Sequence, residues 1–103
     1  MKLMTKEIEK KLPPLYATDG SDEKKVIVKF FTPWTSWTWY IVEGDKHNNG
    51  DYEFFGYVDN GTECSEWGYV MLSDLMSIKG PFGLKIERDR NFEGKINLKG
   101  ELI

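Results

Sequence analysis

The sequence is poor in the residues that build most catalytic and metal centres. Its 103 residues include one cysteine, Cys64, and one histidine, His47. A lone cysteine excludes an intramolecular disulfide framework and a multi-cysteine zinc site, and it fits a reducing cytosol. His47 sits in the polar stretch Asp45–Gly50, which reads as a turn and is a poor place to preorganise a base. Cys64 has no histidine nearby to activate it. Gly80-Pro81-Phe82-Gly83 lacks the Lys-Ser/Thr ending of a phosphate loop. The acids Glu43, Asp45, Asp51, Glu53, Asp59, Glu63 and Glu66 fall at strand ends and turns, without the spacing of a calcium loop. Arginine is also scarce, at two residues against twelve lysines, and the net charge is −3. That balance argues against binding driven by a nucleic-acid backbone, while leaving a local basic patch open. No apolar run approaches the ~20 residues of a membrane span. Met1–Leu12 is charged and interrupted where a signal peptide would be apolar. The expectation is a cytoplasmic, non-membrane chain with no assigned catalytic residue, metal ligand or cofactor.

What the sequence does have is aromatics: six Phe, five Tyr and four Trp. A few rings of about 150–250 Å² each fill a small core, and every buried indole N–H needs a partner. At least one Trp is therefore expected at the surface. A chain of this length makes one domain, burying roughly 65% of its unfolded surface.

Periodicity gives the elements. Thr5 caps a short helix over Lys6–Leu12, which Pro13-Pro14 stops. Strands are expected over Lys25–Thr32, Trp37–Glu43, Asp51–Val58 and Trp67–Met71. Val26, Val28 and Phe30 share one face of the first strand; Tyr52, Phe54 and Val58 share one face of the third. Gly56 marks a bulge. Ser73 caps a second helix over Asp74–Lys79, ended by Gly80-Pro81. Leu84–Glu87 reads as extended, Arg88–Gly94 as irregular, and Ile96–Leu98 as a short last strand. The fold class is α+β: an antiparallel sheet of about four to five strands, with both helices packed on one face.

Two segments stand out as contact surfaces. In the block Phe30–Tyr40, alternation assigns Phe30, Trp37 and Trp39 to packing first. As a binding surface, the same block would offer Trp34, Trp37 and Tyr40, and Trp34 lies beside Pro33 in an expected loop. The second segment is Glu87-Arg88-Asp89-Arg90, the densest mixed-charge stretch and the site of both arginines.

Together, Leu12-Pro13-Pro14-Leu15-Tyr16-Ala17-Thr18, Lys29–Pro33, Trp37–Tyr40, Phe54–Val58, Gly68-Tyr69 and Leu84–Asp89 resemble a small bacterial family known only as a domain of unknown function. The resemblance runs to about Phe92 and leaves Glu93–Ile103 unmatched. It implies a bacterial cytoplasm and a mobile-element setting of conjugative plasmids, integrated elements and phages. It carries no catalytic or binding residue onto this chain. The favoured reading is a non-enzymatic binding module with a protein partner, an accessory or counter-defence factor of a mobile element. The rivals are single-stranded nucleic-acid binding through an aromatic sheet face and a small carboxylate-dependent metal enzyme. Homodimerisation is left open, because an uncovered aromatic face needs a partner.

Overall fold

Alternating apolar residues in four consecutive segments, joined by short polar turns, dictate antiparallel pairing. The computed structural model describes residues 2–103 and forms two antiparallel sheets. The main sheet has five strands in the order β5-β4-β3-β2-β6: β2 (Val28–Phe31), β3 (Thr38–Lys46), β4 (Tyr52–Asp59), β5 (Glu66–Met71) and β6 (Glu87–Arg88). A separate two-stranded ribbon pairs β1 (Glu23–Val26) with β7 (Gly94–Asn97). The helices are α1 (Lys6–Lys11) and α2 (Leu72–Ser77). The α+β class and the antiparallel sheet are as the sequence indicates.

Both helices and the N-terminal segment close one face. Phe30, Trp39, Ile41, Phe54 and Val28 form its floor, covered by Leu3, Met4, Leu72, Leu75 and Ile86. Ile8 and Leu12 of the first helical segment pack against this cluster. Thr5 caps α1 as expected, its hydroxyl accepting from Ile8 N at 3.2 Å. The opposite face carries a second cluster of Val26, Tyr40, Val42 and Ile96, with Phe55, Tyr57, Trp67 and Phe92 packed on it. The ribbon and the last residues cover only part of that face.

Several details depart from the sequence reading. The expected strand Lys25–Thr32 is two strands in two sheets, broken at Ile27, whose N–H donates to Ile41 O at 2.8 Å. The break turns the chain from ribbon to main sheet. Val26 therefore joins the second cluster, while Val28 and Phe30 join the first. The bulge lies on β3, between Ile41 and Glu43, directly across from Gly56. A Cβ on Gly56 would stand 2.2 Å from Tyr40 O, so the strands approach there only because it is glycine. Beyond the bulge the alternation is reset. Glu43 now pairs beside Phe55, on the face opposite the helices.

Helix α2 starts earlier than expected, and Ser73 does not cap it from the Ncap position, which Met71 holds. Asp51, at the start of the β4 segment, supplies the cap instead. Its carboxylate accepts from Ser73 N at 3.0 Å and from the Ser73 hydroxyl at 2.6 Å. The bond from the Ser73 hydroxyl does most to hold the Asp51 carboxyl below its ordinary value, partly offset by desolvation, with the Tyr52 and Ser73 amides and His47 adding smaller contributions. The final strand also starts two residues earlier than expected, because Gly94 and Lys95 pair with Val26 and Lys25.

Candidate functional site

A cleft opens where α1 faces the edge of the sheet. It encloses about 710 Å³. Its walls come from three places: Thr5–Ile8 and Lys11 of the helix, Lys25–Val28 around the sheet switch, and the segment 88–93. The local folding explains each wall. Helical spacing places Lys11 on the same flank as Glu7 and Ile8, three to four residues earlier. In β1, Lys24 and Val26 are buried, so Lys25 points outward. Residues 87–88 pair with Phe31 and Phe30, and Asp89 N donates to Lys29 O at 2.9 Å. The segment that reads as irregular is thus stitched to β2 before it turns away.

The electrostatics of this cleft differ from those of the chain. Five cationic side chains line it, Lys6, Lys11, Lys25, Arg88 and Arg90, against three acidic ones, Glu7, Asp89 and Glu93, while the chain carries −3. One of the acids is engaged locally, with Lys29 Nζ 3.8 Å from the Asp89 carboxylate. Lys29 Nζ also stands 5.1 Å from the centre of the Phe92 ring and 5.8 Å from that of Tyr40. These cation–π contacts fix the root of the 88–93 segment. Lysine and arginine around an open cleft suit carboxylates and phosphates, and Arg presents its donors in a planar fork. No histidine or cysteine lines the cleft. Among the described residues, no three His, Cys, Asp or Glu side chains gather to hold a metal ion.

The residues singled out from sequence divide between this cleft and other places. Arg88, Asp89 and Arg90 line it, while Glu87 lines a separate groove on the other side of the edge strand. Trp34 is half-buried, its indole lying against Gly80, where a Cβ would meet the ring at 2.4 Å. Trp37 is exposed and stands 5.7 Å from Trp39, centre to centre. Tyr40 is buried against Phe92 at 5.8 Å. Burial raises its hydroxyl pKa above the ordinary value, with a smaller push from Asp59. Within the Phe30–Tyr40 block only Trp37 and Trp39 stack on each other, while Trp34 lies against Gly80 and Tyr40 against Phe92.

Sequence reasoning missed a buried polar anchor and the aromatic strip beside it. Glu43 is 1% exposed. Its carboxylate accepts from Tyr16 N at 2.7 Å and Thr18 N at 2.8 Å, and also from the Thr18 hydroxyl. Buried Lys24 donates to the Thr18 hydroxyl at 3.1 Å and to the Thr18 carbonyl. Next along β3, Gly44 N donates to Pro13 O at 2.9 Å. Two adjacent strand residues thereby hold the whole loop from Pro13 to Thr18. The loop leaves Tyr16 in the left-handed region at φ 73°, a conformation that non-glycine residues adopt only when their surroundings enforce it. Only the charge of Glu43 within an apolar strand hinted at this, and the bulge that redirects it leaves no local sequence signal.

Tyr16 heads a row of rings: Tyr16–Tyr69 at 6.5 Å, Tyr69–Phe55 at 5.0 Å, Phe55–Trp67 at 5.4 Å and Trp67–Tyr57 at 5.5 Å. Trp67 Nε1 donates to Leu98 O at 2.9 Å, closing one end with the C-terminal tail. At the open end, the Tyr69 hydroxyl is pushed up to about 12, first by its bond to Tyr16, then by desolvation and the nearby charges of Asp19 and Glu43.

No helix among the described residues is long and apolar enough to cross a membrane. Neither a curated protein nor a solved structure matches this chain. A family model does match it over residues 3–100, from the N-terminal segment that covers the helical face through the ribbon to the tail. By that match the chain belongs to the family described as protein of unknown function (DUF2958).

Proposed function

We propose that this chain is a non-enzymatic binding module that docks an acidic protein segment in the cleft between α1 and residues 88–93. The observation that carries the reading is the concentration of five cationic side chains in one cleft of a net-acidic chain. A cleft with that contrast steers an acidic partner and orients it more than it adds raw affinity. Arg88, Asp89 and Arg90 act in it as contact residues, with Lys29 holding Asp89 in place. Trp37, exposed near the other end of β3, is available to the rim of a large partner. The family resemblance implies a bacterial mobile-element setting. There, such a module would work as an accessory or counter-defence factor that acts on a host protein by contact.

The test is fluorescence anisotropy with a labelled Glu/Asp-rich peptide and, in parallel, a single-stranded oligonucleotide. The expected result is peptide binding that weakens steeply with salt. It should fall at least tenfold in a triple charge reversal, Lys6→Glu, Lys25→Glu and Arg90→Glu, whose circular dichroism matches the parent. Equal binding by parent and variant would sink the cleft. Tighter binding of the oligonucleotide than of the peptide would transfer the site to nucleic acid.

A further inference from the structure

On the sheet face opposite the helices, the row of rings runs out among carboxylates. Past the bulge, β3, β4 and β5 align in cross-strand rows that alternation holds on this face. One row is Glu43–Phe55–Tyr69, and the next is Asp45–Glu53–Met71. Tyr69 is 51% and Tyr16 63% exposed, so the first two rings of the strip are open to solvent. β5 ends the sheet, and no strand among the described residues flanks the strip on that side. Asp19 joins the carboxylates from the loop, its N–H donating to Tyr16 O at 3.2 Å in the turn that carries the first ring. Asp45 and Glu53 stand directly opposite each other, a placement in which like charges repel across the strands. His47 Nε2 lies 3.0 Å from Glu53 Oε1 and engages that carboxylate. Among the described residues neither Asp19 nor Asp45 has an ion-pair partner. Buried Lys24 is committed to the Thr18 carbonyl and hydroxyl within the loop.

We infer that this strip binds an arginine-bearing segment of a partner protein, whose guanidinium groups stack on Tyr69 and Tyr16 and pair with Asp45 and Asp19. The rim decides the sign of the occupant. An apolar segment would take these carboxylates out of water with nothing to compensate them, and an acidic segment would add to the repulsion. A cation answers both halves of the surface. Aromatic faces attract it through the ring quadrupole, and carboxylates accept its hydrogen bonds. Arginine suits the strip better than lysine, because its planar, weakly hydrated group stacks on a ring while its edge bonds a carboxylate. The basic cleft lies toward β6, at the opposite edge of the sheet. The two surfaces therefore take segments of opposite charge without competing.

Fluorescence anisotropy of the full chain with a labelled arginine-rich peptide, and with a lysine-rich peptide of the same length, tests this. The expected result is binding of the arginine-rich peptide at low salt, tighter than that of the lysine-rich one. Tyr69→Leu keeps an apolar side chain but removes the ring, and should weaken binding by about threefold, whereas Tyr69→Phe should retain it. Asp45→Asn should weaken it to a similar degree. Asp74→Asn makes the same change of net charge on exposed α2, across the sheet, and should not. Circular dichroism confirms that each variant remains folded. The Glu/Asp-rich peptide of the basic cleft should bind Tyr69→Leu as it binds the parent. A parent that does not bind the arginine-rich peptide overturns the inference, as does a Tyr69→Leu variant that binds it equally well. A lysine-rich peptide bound as tightly would overturn the assignment to arginine. A loss in Asp74→Asn as large as that in Asp45→Asn would reduce the binding to net charge and overturn the site.

Discussion

The two faces of the main sheet are closed by different means. On one, helices and the N-terminal segment bury Phe30, Phe54 and Leu75 completely, with apolar contacts throughout. On the other, a two-stranded ribbon and a loop cover part of the surface. A buried carboxylate and a buried lysine hold that loop, while a row of rings stays half open. The first face is held by area removed from water, which is tolerant of detail and non-directional. The second is held by directional hydrogen bonds that must all be made, since each buried donor or acceptor left without a partner is costly. Complete burial concentrates on the helical face, whereas the row of rings on the other face stays half open.

That contrast is broken most forcefully by truncating equivalent rings on adjacent residues of β4. Phe54→Ala empties a fully buried site and is expected to lower stability by about 3–5 kcal/mol. Phe55→Ala, on the partly open face, is expected to lower it by about 1–2 kcal/mol. Urea denaturation of both variants measures the difference. Equal losses would mean that the ribbon face is as tightly packed as the helical one.

The same contrast explains what the sequence made legible. Alternation in β4 assigned Tyr52, Phe54 and Val58 to one face and Phe55 and Tyr57 to the other, because an uninterrupted strand has a period of two. Thr5 was readable as a cap because its hydroxyl bonds an amide three residues on. Failures came where a distant residue decides the local outcome. The switch at Ile27 is set by a bond to Ile41, and the α2 cap is set by Asp51 rather than Ser73's own position. The reset after Val42 depends on the fit of Gly56 against β3. Of the candidate site, the Arg88–Arg90 wall was visible as a dense charge cluster. The lysines opposite it come from segments far apart in sequence, and only folding assembles them. Trp34 read as an exposed loop residue, but Gly80 gives its ring a surface to lie on.

A second test addresses the polar anchor. Glu43→Ala leaves the Tyr16 and Thr18 amides and buried Lys24 without the carboxylate that organises them. The expected loss is about 2–4 kcal/mol. Amide hydrogen exchange should accelerate first at Tyr16 and Thr18, while Phe30 and Ile41, in the centre of the sheet, stay protected. Exchange rising equally at all four amides would show that the two faces open together, and the anchor would then belong to the global core.

The smallest expected effect is the most local. The Tyr69 hydroxyl is pushed up from 10 to about 12, chiefly by its bond to Tyr16. The folded state therefore holds this proton more tightly than the unfolded chain does. The contribution is fully present below pH 10 and is lost as pH rises through 12. Tyr16→Phe removes the largest cause and leaves the smaller ones, desolvation and the charges of Asp19 and Glu43. The Tyr69 titration, followed by ring NMR, should then fall back toward the ordinary value without reaching it. The Tyr40 hydroxyl is raised by its own burial and by Asp59, so it should titrate unchanged in the same sample. If Tyr69 does not move, the Tyr16 ring is not held against it in solution, and the strained loop conformation enforced by Glu43 has no reach beyond the loop. If both tyrosines move, the anchor couples the open strip to the buried cluster. The outer face would then behave as one cooperative unit, set against the helical face rather than divided within itself.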